Sequence, residues 1–142
     1  MIVYADSSFL VSSYTGDAHS TEADNRRVLL PTILITPFVR AEVCTALHQQ
    51  VFQKRVSPAQ ANQAWQDFEQ DGNTGTLTRI DFPLAALDLT VDLARRFAPT
   101  LGVRTLDSLH IACALELNAQ KFWTFDDRQA RLAEAVGLDT TA

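Results

Sequence analysis

Four short runs of β-branched and aromatic residues, separated by longer stretches with helical spacing, restrict this chain to alternating strands and helices. The predicted strands are Ile2–Ala5, Ile33–Thr36, Leu77–Ile80 and Phe122–Phe125. The predicted helices are Ser7–Tyr14, His19–Leu30, Val39–Phe52, Pro58–Glu69, Leu84–Phe97, Leu106–Leu117 and Arg128–Val136. Strands joined through helices form right-handed crossovers and a mainly parallel sheet with helices on both faces. We therefore expect an α/β fold.

Proline, glycine and turn-forming residues mark the boundaries of these elements. Thr36 and Ser57 each precede a proline, and a capping hydroxyl followed by proline favours the start of a helix. Residues 71–75 predict a turn before the third strand, and residues 99–102 predict the end of the fifth helix. The chain has no linker, and 142 residues suit a single domain covering residues 1–142.

Composition and charge exclude several classes of function. Seventeen acidic and twelve basic residues give a net charge of −5, so the chain lacks the basic surface of a protein that coats DNA non-specifically. Its two cysteines, Cys44 and Cys113, have no zinc-binding spacing, which suits a reducing compartment. No segment resembles a secretory signal or approaches about 18 consecutive apolar residues. We expect a cytoplasmic protein that does not bind membranes.

Four acidic residues occupy unusual positions. Asp6 follows the first predicted strand and Asp126 follows the last, and the carboxyl ends of parallel strands meet at one edge of a sheet. Glu42 and Asp107 each interrupt an apolar stripe of a predicted helix, which directs both toward buried surface. The pattern predicts that the four acids lie in one site.

Each acid also has a structural interpretation. Asp6 and Asp126 could cap helices, Asp107 suits the first turn of a helix, and Glu42 could pair with a basic residue. These interpretations leave the joint arrangement unexplained. Buried carboxylates repel one another and are costly to desolvate, whereas divalent cations neutralise them. Oxygen ligands without a His or Cys cluster favour Mg²⁺ or Mn²⁺.

The segments that carry these acids resemble those of the PIN-domain ribonucleases, particularly the VapC-like toxins of toxin–antitoxin pairs. The matching segments are Val3–Ser8, Thr36-Pro37 with Glu42-Val43, Arg104–Ala112 and Thr124–Asp127. The resemblance implies an α/β/α sandwich with a short, mainly parallel central sheet. It also implies a metal-dependent endoribonuclease that hydrolyses RNA phosphodiester bonds with one or two Mg²⁺ or Mn²⁺ ions. A cognate antitoxin and a second copy of the chain, forming a homodimer, would be its protein partners.

Through the resemblance, the catalytic and metal-binding roles fall to the four acids, Asp6, Glu42, Asp107 and Asp126. Glu42 would bind an ion directly or through water. The neighbouring Asp127 is a possible further ligand, although Asp126 better matches the family pattern.

Hydroxyls and arginines near these acids are further candidates. Ser8 and Thr124 match hydroxyl positions that flank the site in the family. Arg40, Arg104 and Arg128 adjoin the motifs and could bind RNA phosphates, or could pair with neighbouring acids. His110 lies three residues after Asp107, and we assign it a structural role in packing or hydrogen bonding.

Three other functions compete with this interpretation. A phosphatase of the haloacid-dehalogenase type also places an aspartate after its first strand, but Ser8 stands where that chemistry needs a second acid. A catalytically silent PIN-like module would bind RNA or protein only, and it would have little use for four repelling acids. An RNA-processing nuclease of the same fold would need no antitoxin.

Overall fold

Four strands and seven helices alternate along the chain in the computed structural model, which describes residues 1–142. The strands are β1 (Ile2–Ala5), β2 (Thr32–Ile35), β3 (Leu77–Arg79) and β4 (Lys121–Trp123). The helices are α1 (Ser7–Tyr14), α2 (Ser20–Arg27), α3 (Pro37–Phe52), α4 (Pro58–Thr74), α5 (Ala86–Leu101), α6 (Thr105–Glu116) and α7 (Asp127–Ala135).

All four strands are parallel and lie in the order β3-β2-β1-β4. Successive side chains of a strand point to opposite faces, and Val3, Tyr4 and Ala5 of β1 are all fully buried, so helices cover both faces. The helices form two groups, because α1–α4 pack on one another and α5–α7 pack on one another. The predicted α/β/α sandwich with a short parallel sheet is confirmed.

Two helices continue beyond their predicted ends. α4 runs through residues 71–74 to the left-handed cap at Gly75, where φ is +84°. In this part of α4, Asp71 accepts hydrogen bonds from Tyr14 of α1 and Arg27 of α2. These tertiary contacts outweigh the turn propensity of residues 71–75. α5 likewise passes Pro99 and ends at Leu101, with a left-handed cap at Gly102, where φ is +65°. The prediction of a turn at 71–75 was wrong, whereas the prediction that the fifth helix ends within residues 99–102 is confirmed.

The other boundaries are close to those predicted. β2 ends at Ile35, because Thr36 caps α3 by accepting a hydrogen bond from the Val39 N–H at 3.2 Å. β4 ends at Trp123, which leaves Thr124 and Phe125 beyond the strand. None of the helices combines the length and apolarity needed to cross a membrane.

Candidate active site

Asp6 lies at the carboxyl end of β1, one of the two inner strands, and is fully buried. Its Oδ1 accepts hydrogen bonds from the Phe9 N–H at 3.0 Å and from the Ser8 hydroxyl at 2.7 Å. Its Oδ2 accepts one from the Thr124 hydroxyl at 2.7 Å. Asp6 is thus the N-cap of α1, as its structural interpretation predicted, and it also faces the end of β4. The cap interpretation and the site interpretation are therefore compatible.

The environment of the Asp6 carboxylate is unfavourable to its charge. Burial raises the pKa of Asp6 above its ordinary value of 3.8, and nearby His110 and the three hydrogen-bond donors offset only part of that effect. No lysine or arginine forms a salt bridge with Asp6. A desolvated carboxylate without a basic partner is a feature of cation-binding and catalytic sites.

The hydroxyls of Ser8 and Thr124 connect the ends of β1 and β4. Their oxygens are 3.3 Å apart, and each binds Asp6. Each also accepts a backbone N–H from the segment after β4, Ser8 from Phe125 at 2.9 Å and Thr124 from Asp126 at 2.9 Å. The structure therefore places both hydroxyls beside Asp6, where they fix the position of Asp126.

Asp126 and Asp107 are joined through Gln129. Asp126 caps α7 by accepting the Gln129 N–H at 3.0 Å. The side-chain Nε2 of Gln129 donates to Asp107 Oδ1 at 3.4 Å. Asp107 Oδ2 accepts the Arg104 N–H at 2.8 Å. Asp107 is buried, whereas Asp127 is exposed in the first turn of α7. Asp126, and not Asp127, thus belongs to the connected network.

Gln129 is a member of this site that the sequence prediction did not include. Its Oε1 is buried and has no hydrogen-bond partner. Unpaired buried acceptors are rare in proteins, and they frequently mark a site for water or an ion. The signal for it in the sequence is its position on the buried stripe of α7, with Leu132 and Ala133.

Glu42 is held by His110, which is fully buried on α6. His110 Nε2 binds Glu42 Oε1, and His110 Nδ1 lies 2.9 Å from the Tyr4 hydroxyl. Because a carboxylate only accepts hydrogen bonds, Nε2 of His110 carries a proton and donates a hydrogen bond to Glu42. Burial raises the pKa of Tyr4 well above its ordinary value, which keeps this hydroxyl protonated. The hydrogen bonds agree with the structural role assigned to His110.

The three candidate arginines differ in their surroundings. Arg40 donates from Nε to Glu69 Oε1 at 2.6 Å and lies over the Trp65 ring at 5.2 Å. It therefore pairs with an acid of α4. Arg104 and Arg128 are exposed and form no salt bridge, so their guanidinium groups are available for a ligand.

The donor chemistry at this edge of the sheet suits a divalent cation. Asp6, Asp107 and Asp126 offer carboxylate oxygens without basic partners, and Gln129 adds an unpaired amide oxygen. However, no three His, Cys, Asp or Glu side chains stand together in a group that could hold a metal ion. Shared partners connect these three acids, while Glu42 is turned toward His110.

A family model described as PIN domain matches residues 3–135, and the chain therefore belongs to the PIN domain family. This match covers nearly the whole chain and includes all four acids. No curated protein matches the chain significantly.

Several solved structures, one of them a toxin, share the fold. VapC20 of Mycobacterium tuberculosis, a sarcin–ricin loop cleaving toxin, is similar with a TM-score of 0.73 over 98% of each chain, at 16% identity. VapBC2 of Rickettsia felis, bound to a DNA fragment from its promoter, gives a TM-score of 0.68 at 21% identity and covers 99% of this chain and 98% of its own. FitAcB of Neisseria gonorrhoeae gives 0.63 at 13% identity, with 100% and 97% covered. The recognition of a VapC-like PIN fold from the sequence is confirmed.

Proposed function

We propose that this protein is an endoribonuclease that hydrolyses RNA phosphodiester bonds with one or two bound Mg²⁺ or Mn²⁺ ions. The observation that carries the proposal is the buried Asp6 carboxylate, which has no basic partner and is linked through Thr124 to Asp126. Membership of the PIN domain family and the fold shared with an RNA-cleaving toxin support it.

The residues of the site have distinct roles in this proposal. Asp6, Asp107 and Asp126 hold the ions, and Glu42 contributes directly or through water. When bound, such ions lower the pKa of a water molecule and stabilise the charge that develops on the phosphate.

Several neighbours of the acids assist in the proposed reaction. Ser8 and Thr124 orient Asp6, and their hydrogen bonds keep its carboxylate at the end of β1. Arg104 and Arg128, both exposed, offset the negative charge of the RNA backbone. Asp127 remains a candidate for a secondary ligand.

Cleavage of total cellular RNA by the purified protein tests the nuclease proposal. We expect fragments with Mg²⁺ or Mn²⁺ and none with a chelator. Asp107→Asn should reduce the rate more than 100-fold, beyond the roughly 10–100-fold that is typical of changes outside the metal ligands. Asp92→Asn, which alters an exposed acid on α5, is the matched control and should cleave normally. Cleavage by Asp107→Asn at the rate of the control would refute the assignment.

We further propose that the nuclease is the toxin of a toxin–antitoxin pair. Its fold is shared over almost the full chain with VapC20, VapBC2 and FitAcB. Expression alone should arrest growth, and co-expression of a small neighbouring gene should restore it. Growth without arrest, in cells that contain active nuclease, would favour an RNA-processing enzyme that has no antitoxin.

A further inference from the structure

A surface cleft of about 360 Å³ opens next to the acids and has no role in the chemistry described so far. Its walls come from α1, the loop before α2, Ala46 on α3, and Phe125 after β4. Three of these walls lie close in sequence to a proposed ligand. Ser7 and Ser8 follow Asp6, Phe125 precedes Asp126, and Ala46 is one helical turn beyond Glu42. We call it the His19 cleft, after the aromatic ring that lines it.

A column of aromatic rings reaches from the core to this cleft and ends at His19. The exposed His19 ring stacks on Phe125, with centroids 4.3 Å apart and planes inclined by 11°. Phe125 stacks in turn on the fully buried Phe9, at 5.4 Å and 24°. Phe9 packs on Trp123, whose centroid is 5.1 Å away. The base of the column is thus fixed in the core, and its end is open to a ligand.

Hydrogen bonds fix the column relative to the catalytic acid. The Phe125 N–H donates to Ser8 Oγ at 2.9 Å, and the same hydroxyl donates to Asp6 at 2.7 Å. A ligand that stacks at His19 would therefore have a set position with respect to Asp6. Such positioning is what a nuclease needs next to the bond that it cuts.

The charge of the cleft selects the kind of ligand. Asp17 lines it and no lysine or arginine does, so the cleft disfavours a phosphate group. An uncharged planar ring suits both the aromatic end of the column and the hydroxyl of Ser7 at the wall. Proteins recognise single-stranded RNA by stacking unpaired bases on Phe, Tyr, Trp and His side chains.

We propose that the His19 cleft binds one unpaired nucleobase of the RNA substrate, stacked on His19, next to the phosphodiester bond that is cleaved. This proposal rests on the proposed nuclease function and adds to it a determinant of cleavage position. The base would enter as part of a loop or single strand, because a paired base cannot leave its stack without additional cost.

The test measures binding of a fluorescently labelled oligoribonucleotide whose cut site by the wild-type protein has been mapped. Every protein in this test carries Asp107→Asn and is measured in a chelating buffer, so that the RNA stays intact. The protein with this change alone is called the background protein. His19→Ala in this background should weaken binding about tenfold or more, the effect of losing one stacked base. His48→Ala is the matched control, because His48 is an exposed histidine of α3 outside the cleft. It should bind as the background does.

Abasic nucleotides placed one at a time around the cut site then identify the stacked base. At one position, removal of the base should weaken binding to the background protein by about the same factor as His19→Ala does. Removal of that base should leave binding to His19→Ala unchanged. His19→Phe retains a ring on Phe125, so it should bind the RNA as tightly as the background protein does.

Three outcomes would overturn the proposal. Equal binding by His19→Ala and His48→Ala would show that the cleft holds no base, and abasic effects that are the same at every position would show that no single base is held. Weak binding by folded His19→Phe would show that ring stacking is not the cause. In all three cases wild-type cleavage would persist and the nuclease proposal would stand. A wild-type protein that cuts no RNA would instead refute both.

Discussion

Replacing Asp6 with asparagine should abolish RNA cleavage and, in the same molecule, stabilise the metal-free protein at neutral pH. The wild-type carboxylate is fully buried with no basic partner, and burial raises its pKa. At neutral pH the fold therefore bears the cost of a desolvated negative charge. Asparagine removes that charge and is an equally good N-cap.

The size of the effect follows from the hydrogen bonds and from the pKa. The oxygen of the asparagine side chain would still accept the Phe9 N–H, and its amide N–H would donate to Thr124 Oγ1. That oxygen accepts one hydrogen bond from the Asp126 N–H and has a second lone pair for the amide. Few hydrogen bonds are lost, so the charge dominates. Each unit by which the pKa of Asp6 is raised costs about 1.4 kcal/mol at neutral pH. In a domain of this size 1 kcal/mol corresponds to roughly 3 °C in Tm.

The pH dependence has a definite sign. A raised pKa means that the folded protein holds the Asp6 proton more tightly than the unfolded chain does. Stability therefore falls as the pH rises from the ordinary value of 3.8 to the raised value in the folded protein, and is constant above it. The Asp6→Asn variant lacks this loss, so its advantage in Tm over the wild type should be absent in acid and should grow toward neutral pH.

Thermal melts in chelating buffer between pH 4 and pH 8 provide the measurement, with Asp92→Asn as the control for an exposed acid. Added Mn²⁺ should raise the Tm of the wild type, because a ligand that binds only the folded state stabilises it, and should raise that of Asp6→Asn less. An Asp6→Asn protein that melts below the wild type at pH 7, or by the same difference at every pH, would refute the reasoning.

Three further substitutions or modifications test other parts of the site. Gln129→Ala removes the amide beside Asp107, and it should weaken Mn²⁺ affinity about tenfold in a paramagnetic resonance titration. His110→Ala should lower the free energy of unfolding in urea by about 3 kcal/mol, since it leaves a cavity and removes the donor to Glu42; His110→Gln, which retains an N–H, should lose less. Burial raises the pKa of Cys113 to about 11, so mass spectrometry should show its alkylation only after unfolding.

Most of the fold and the four acids could be predicted because their signals are local. Asp6 and Asp126 each lie at the junction of an apolar strand and a helix, which identifies both a cap and a sheet edge. The predicted end of α4 was wrong, because it depends on contacts between distant segments. Asp71, for example, binds Tyr14 and Arg27 across the structure.

The partners within the site could not be predicted, because no periodicity relates them. Glu42 and His110 are 68 residues apart, and each lies on a helix whose apolar spacing indicates only that it is buried. Gln129 is closer in sequence to Asp107, at 22 residues, but no helical spacing relates the two side chains. In the structure its side chain reaches Asp107 on the neighbouring helix, because α6 packs on α7.

The pairing of the first strand with the last has a consequence for synthesis of the protein. Thr124 and Asp126 follow β4, and β4 joins β1 only after more than a hundred intervening residues have been made. The amino-terminal part of a nascent chain therefore emerges with Asp6 but without its partners. Until β4 has been made, the proposed nuclease would lack Thr124 and Asp126 at its site, so we expect the partly synthesised chain to be inactive.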